Sequence, residues 1–141
     1  MSYTQRWSED NAILERMEPG GYNGTYNTAY VSVKDYHRVT VVLECGTLGG
    51  AVNMQLYQAT DTAGTGAKII AGKAITELTA ADDNAIVIVE LRTEELDVDN
   101  GFDCVMASIV PFGMNYMSAL VIGHQSRFKP VPATGIDEIV D

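Results

Sequence analysis

The chain has 141 residues, 46% of them hydrophobic, which is typical of one globular domain and not of a disordered chain. Its formal net charge is −10, from 19 acidic and 9 basic side chains. Because nucleic acids and anionic membranes both select clustered lysine and arginine, this charge opposes either as a partner.

The first 28 residues do not show the alternation of a β-strand. Ser8 to Asn11 are suited to cap a short helix that continues to Met17, and Pro19, followed by two glycines, would end that helix. The basic and apolar segments of a secretion signal are not recognised here, which predicts a protein that stays in the cytoplasm where it is made. We interpret residues 1–28 as an arm that either covers its own domain or lies on a neighbouring subunit.

Two β-rich runs, residues 39–45 and 52–59, flank a turn of small residues at 46–50. Apolar and polar side chains alternate along both runs, as in strands that bury one face. The predicted buried faces are Val39, Val41 and Leu43 in the first run, and Val52, Met54 and Leu56 in the second. Alternation across a glycine-rich connection predicts an antiparallel hairpin.

The rest of the chain continues the β pattern, with turn-forming residues every 8–12 positions or so. The predicted strands are 30–33, 67–71, 74–78, 85–91, 102–110 and 116–123. Residues 85–91 are apolar on both faces, which predicts a central strand covered on both sides. The fold class is therefore all-β, an antiparallel β-sandwich that is either jelly-roll-like or immunoglobulin-like. We divide the chain into an N-terminal arm (1–28), a sandwich (29–126) and an extended C-terminal tail (127–141).

Side chains that carry chemistry are scattered along the sequence. His37 and His124 stand alone, and Cys45 and Cys104 lie in predicted strands, as buried free thiols would. Residues 97–103 place three carboxylates and an amide near Gly101, a pattern that favours a solvated turn over a cation loop because the glycine is one position early. We therefore expect no enzyme, no metal and no cofactor.

Charge is distributed unevenly along the chain. Residues 77–103 hold nine acids and one base, either as a solvated surface or as a docking face for a basic partner. Four of the bases are expected to gather at one end of the domain: Lys34, Arg38, Arg127 and Lys129.

The segments YHRVTVVLECGTLGGAVNMQLYQATDTAGTGAK and KAITELTAADDNAIVIVEL are followed by a Gly-Phe-Asp strand and a final strand. Between about residues 29 and 125 this succession resembles small virion proteins of tailed phages and prophages, the capsid decoration or cement proteins. The resemblance implies a β-sandwich or jelly roll on the exterior of a phage head, made in the host cytoplasm. Its partners would be the major capsid protein and its own copies, as a dimer or trimer that braces capsid subunits.

Such a protein would make its contacts through its arms. The expected contact residues are Tyr3, Trp7, Ile13, Leu14, Tyr22, Tyr26, Phe128 and Val131. An alternative is a binding module of a phage fibre, which would present carbohydrate-binding aromatics on one face, drawn from Tyr36, Tyr57, Phe112 and Tyr116. A small enzyme on a cupin-like barrel is the third hypothesis.

Overall fold

The structure is a computed structural model that describes residues 5–133 and 135–140. One helical turn, α1 (Trp7–Asp10), precedes nine strands. These are β1 (Ala12–Tyr22), β2 (Tyr26–Asn27), β3 (Val31–Ser32), β4 (Tyr36–Leu48), β5 (Val52–Ala59), β6 (Lys68–Ala74), β7 (Ile86–Arg92), β8 (Cys104–Pro111) and β9 (Asn115–Ser126). No helix in the described part of the chain is long and apolar enough to cross a membrane.

The strands form two antiparallel sheets. The first has the order β1-β9-β4-β7, and the second has the order β2-β8-β5-β6, with β3 also pairing with β8. The two short strands β2 and β3 share one position, so the molecule has eight strand positions in the alternating arrangement of a jelly roll. This strand order confirms the predicted sandwich and selects the jelly roll over the immunoglobulin-like alternative.

The core lies between the sheets and is filled by the inward faces of both. Val39, Val41 and Leu43 of β4 are buried, as are Met54 and Leu56 of β5. Each alternates with exposed or half-buried neighbours, because successive side chains of a strand point to opposite faces. The predicted buried faces of these two strands are confirmed.

The predicted hairpin between β4 and β5 is wrong. β4 pairs with β9 and β7 in one sheet, whereas β5 pairs with β8 and β6 in the other. The connection at residues 49–51 therefore crosses from one sheet to the other. The physical reason is that alternation identifies the buried face of a strand but does not identify its neighbour, and both strands face the same core.

Two further strand predictions need correction. The run at 85–91 is not a covered central strand, because β7 is the outer strand of its sheet and exposes Ile86 and Ile88. The two weak strands predicted at 67–71 and 74–78 are one strand, β6, followed by a single bridge between Val52 and Leu78. Gly72 lies inside β6 with φ of 77°, so the sequence signal for a break marks an irregular strand.

The expectation that residues 1–28 lack sheet structure is wrong for β1 and for the two-residue strand β2. The helix ends at Asp10, not at Met17, and β1 pairs with β9 from Ala12 to Tyr22 with two register shifts. Pro19 lies just at the second shift, where an outer strand tolerates a residue without an N–H group. The pairing of β1 with β9 of the same chain fits the interpretation in which this segment covers its own domain. The domain boundaries at residues 28 and 126 stay a prediction.

Candidate interaction surfaces

The N-terminal and C-terminal segments meet at one end of the sandwich. The Val131 N–H donates to the Glu9 carbonyl at 3.2 Å, and the Lys129 ammonium lies 3.1 Å from the Asp10 carboxylate. The same carboxylate accepts the Ser126 N–H at 3.0 Å. We call residues 5–11 and 127–131 together the terminal surface. The two segments that the sequence marked as contact regions are thus adjacent in space.

The electrostatics of Asp10 help to hold this end together. Partial burial raises the pKa of its carboxyl, but hydrogen bonds from Lys129 and Ser126 outweigh burial and leave the pKa below its ordinary value of 3.8. The carboxylate is therefore charged at neutral pH and links the helical turn to the segment after β9.

Basic side chains surround the terminal surface, as the sequence predicted. The Arg127 guanidinium donates to the Lys34 carbonyl at 2.8 Å, and Arg38 donates to the Gln125 side chain at 3.2 Å. Arg38 also lies opposite Arg92 across β4 and β7. Carboxylates lie among these bases, because Asp10 pairs with Lys129, and Glu94 and Glu95 pair with Arg92.

The predicted contact residues differ in what they leave exposed. Trp7 is 54% exposed and Phe128 is 71% exposed, so both present aromatic surface to solvent. Tyr3 lies outside the described residues. The other members pack wholly or partly against this chain itself: Ile13, Leu14, Tyr22, Tyr26 and Val131. The contact role of all these residues stays a prediction. Among the described ones, Trp7 and Phe128 expose the largest fraction of an aromatic side chain to solvent.

A second apolar surface lies at the opposite end of β9, where the sequence named two aromatic residues only as candidates for carbohydrate binding and did not name Met114. Phe112, Met114 and Tyr116 are each about half exposed, and we call them the turn surface. The turn that carries them is packed against residues 49–50 so closely that a Cβ at Gly50 would overlap the Phe112 carbonyl oxygen. Buried Asn115 joins the two turns through hydrogen bonds to Gly50 and Phe112.

The four aromatic residues considered for a carbohydrate platform do not share one face. Tyr36 is buried in a small cluster with Ala12 and Val131, apart from the main core, and Tyr57 lies on β5 of the second sheet. Tyr116 lies on β9 of the first sheet, beside a shallow groove of about 440 Å³. Phe112 lies in the turn between β8 and β9. The arrangement does not form the flat aromatic row that such a platform requires.

The isolated titratable groups have local partners. The His124 ring lies 2.7 Å from the Thr40 hydroxyl, and burial lowers its pKa. Cys45 and Cys104 are buried free thiols, as predicted; burial raises the pKa of both, and that of Cys104 reaches about 11. The Asp97 carboxylate is 2.6 Å from the Lys68 ammonium. Within residues 5–133 and 135–140, no three His, Cys, Asp or Glu side chains are grouped as metal ligands would be.

No protein-family model and no curated protein sequence matches this chain. Solved structures similar to it include a chain of Broad Bean Stain Virus, with 9% identity and a TM-score of 0.48 over 99% of this chain and 97% of that one. A carbohydrate-binding module specific for non-crystalline cellulose has 13% identity and a TM-score of 0.44 over 82% and 73% of the two chains. The coat protein of Tobacco streak virus has 5% identity and a TM-score of 0.38 over 97% and 100%. These similarities are too distant to indicate a function.

Proposed function

We propose that this chain is a structural protein of a tailed-phage head that binds the capsid exterior as an oligomer and bridges major capsid protein subunits. The observation that carries the proposal is the terminal surface, where the two terminal segments expected to make the contacts converge. Two exposed aromatic side chains, Trp7 and Phe128, lie there, and Arg127 and Lys129 belong to the same surface. Aromatic residues and arginine are the commonest energetic centres of protein interfaces, so these side chains suit a contact with capsid subunits.

The remaining properties of the molecule suit such a role. A net charge of −10 keeps a particle that is coated with many copies soluble. Binding at many symmetry-related positions multiplies a modest affinity at each site, so a small contact surface is sufficient. The proposed role is mechanical and requires no catalytic group.

Point variants of the terminal surface test this proposal. Deleting residues 1–28 is unsuitable, because it would remove β1 from the sheet. We expect Trp7→Ala and Phe128→Ala to lower affinity for isolated heads by about 30-fold each, the effect of losing about 2 kcal/mol at an interface centre. Phe112→Ala is the matched control, since Phe112 is 56% exposed at the opposite end of the sandwich.

The measurement is co-sedimentation of the purified chain with heads that lack it, scored by occupancy per head. Loss of occupancy in the two terminal variants and not in Phe112→Ala supports the proposal. Equal binding by all three variants would show that the terminal surface is not the surface that binds the head. A wild-type chain that ignores heads and binds glycans would overturn the function itself in favour of a carbohydrate-binding module.

A further inference from the structure

β7 is an outer strand with exposed apolar side chains, and in the described structure no strand is hydrogen-bonded to its free edge. Within the described structure β7 pairs with β4 alone, over seven consecutive residues without a register shift. Ile86 is 62% exposed and Ile88 is 54% exposed. Both point to the outer face of the sheet, because their β4 partners Glu44 and Val42 alternate with the buried core residues of that strand.

The backbone of β7 is also directed outward. The Cys45 N–H donates to the Ala85 carbonyl at 2.8 Å, which makes these two residues a hydrogen-bonded pair. Alternation along an antiparallel ladder then turns the N–H and C=O groups of Ile86, Ile88 and Glu90 toward the free edge. A row of unpaired donors and acceptors beside β-branched side chains is a template for another strand.

The other outer strands carry features that block such pairing. β1 has two register shifts and Pro19, and residues 135–137 lie beside it. β6 has a register shift opposite β5 and two lysines, and β2 and β3 have two residues each. Of the described strands, β7 alone combines length, regularity and apolar side chains at a free edge.

We propose that β7 pairs with β7 of a second copy of this chain, antiparallel and about a two-fold axis, to join two four-stranded sheets into one. Full overlap of Ile86–Arg92 centres the pair on Val89 and places Ile88 opposite Glu90 of the other copy. The Arg92 N–H stays with the Glu95 carboxylate, which accepts it at 2.9 Å, so only the Arg92 carbonyl is available to Ile86 of the other copy. No charged side chain then faces one of the same sign directly.

Charge complementarity identifies a second copy as the occupant. In this register Arg92 of one copy lies opposite Ile86 of the other, whose own β4 neighbour is Glu44. The Cα atoms of Arg92 and of the other copy's Glu44 are then two strand spacings apart, about 10 Å, which the two side chains can span. Among the described residues Glu44 makes no ion pair. Arg92 lies 3.4 Å from the Glu94 carboxylate and 3.9 Å from the Glu95 carboxylate, and it faces the like charge of Arg38 across the ladder. The dimer therefore supplies Glu44 with an opposite charge and adds a carboxylate beside the two arginines.

The proposed function includes self-association, and the β7 pair names the surface through which two copies would associate. Only the role of this dimer on a capsid rests on the proposed function. The solution mass of the isolated chain tests the inference without heads. Sedimentation and light scattering of the full chain over a concentration series should give twice the monomer mass of 15.3 kDa. A monomer at all concentrations, or a trimer, would overturn the β7 pair and leave head binding to its own test.

Variants locate the interface. We expect Ile88→Lys to weaken dimerisation by about tenfold or more, since an edge lysine opposes strand pairing. The matched control is Ile69→Lys on the outer strand β6, where Ile69 is 55% exposed, and it should leave the dimer unchanged. Equal effects of the two substitutions, or an unchanged Ile88→Lys dimer, would overturn the proposal.

A charge exchange gives a test that does not depend on the isoleucine variant folding. Arg92→Glu and Glu44→Arg should each weaken the dimer, and the double variant should recover most of the loss because the opposite charges meet again. Hydrogen exchange should be slow at the amides of Ile86, Ile88 and Glu90 in the dimer and fast in the single variants. Absence of recovery in the double variant, or fast exchange at these amides in the wild-type chain, would refute the register.

Discussion

Replacement of Asn115 by alanine should destabilise the protein more than any other single truncation of a polar side chain discussed above. Asn115 is fully buried, and its amide makes three hydrogen bonds. Its oxygen accepts the Gly50 N–H at 3.2 Å, and its nitrogen donates to the carbonyls of Phe112 at 3.2 Å and Gly113 at 3.0 Å. These bonds connect the crossover between the sheets to the turn that carries Phe112.

The expected loss follows from those three bonds. Each contributes about 1 kcal/mol net, and Asn115→Ala leaves Gly50 with a partly buried, unpaired N–H group, so the free energy of unfolding should fall by about 3 kcal/mol. For a chain of this size that corresponds to a fall of about 10 °C in the melting temperature. Urea unfolding followed by circular dichroism measures the difference.

Two variants complete the Asn115 test. Asn115→Asp should be less stable than Asn115→Ala at neutral pH, because a buried carboxylate would face two carbonyl oxygens, and its deficit should narrow as the pH falls and the acid becomes protonated. Asn53→Ala removes one bond to the exposed Glu77 carboxylate and should cost no more than about 0.5 kcal/mol. If Asn115→Ala were as mild as Asn53→Ala, the amide would not join the two turns and the structural reasoning would be refuted.

Three other predictions concern the fold. Gly50→Ala should unfold or strongly destabilise the protein because its Cβ would overlap a backbone carbonyl, whereas Gly24→Ala, with no heavy atom within 4 Å of the added carbon, should be nearly neutral in thermal unfolding. Cys45 and Cys104 should resist alkylation at pH 8 in the native protein, since burial raises both thiol pKa values, and should react fully in denaturant; rapid native labelling would contradict their burial. Burial raises the pKa of Asp10, but hydrogen bonds lower it by more, so the folded-state pKa is below the ordinary value of 3.8. The stability that the Asp10 carboxylate contributes is therefore fully present above pH 3.8, and it is lost as the pH falls through the folded-state pKa. The difference between wild type and Asp10→Asn in unfolding free energy should accordingly vanish in acid, and a difference that grew on acidification would be incompatible with this.

The inward faces of the central strands could be predicted because burial leaves a direct trace in the sequence. Alternation in β4 and β5 marks the side chains that fill the core, and the structure buries the same ones. The pairing of these strands left no such trace, since a turn of small residues can close a hairpin or carry the chain from one sheet to the other. The glycines at 49 and 50 are required by close packing against the turn after β8, which is a tertiary contact.

The edges of the first sheet were predicted poorly for opposite reasons. β1 contains charged residues and Pro19, which resemble a loop but are tolerated in an outer strand because one of its edges makes no ladder hydrogen bonds. β7 is apolar on both faces and resembles a buried strand, yet its outer face is exposed. Apolar side chains that are not buried within their own chain are typical of an interface. The sequence pattern alone does not distinguish a strand buried in its own domain from a strand exposed at an interface.

The surfaces at the ends of the sandwich were predicted in part. Trp7 and Phe128 were identified from their aromatic character in the two terminal segments, and the structure exposes both. Their adjacency depends on the contacts of Asp10 with Lys129 and Ser126, which are distant in sequence. Met114 and Tyr116 lie in and just after a short turn, and only the fold shows that they form one surface with Phe112.

The most direct test of the central claim is electron cryomicroscopy of phage heads that lack this protein, before and after addition of the purified chain. The proposed function predicts added density at symmetry-related positions on the outer surface, with a jelly roll whose terminal surface faces the capsid. Heads carrying Trp7→Ala or Phe128→Ala protein should show weak or no added density, whereas those with Phe112→Ala should match wild type. Bare heads at saturating wild-type protein would contradict the claim.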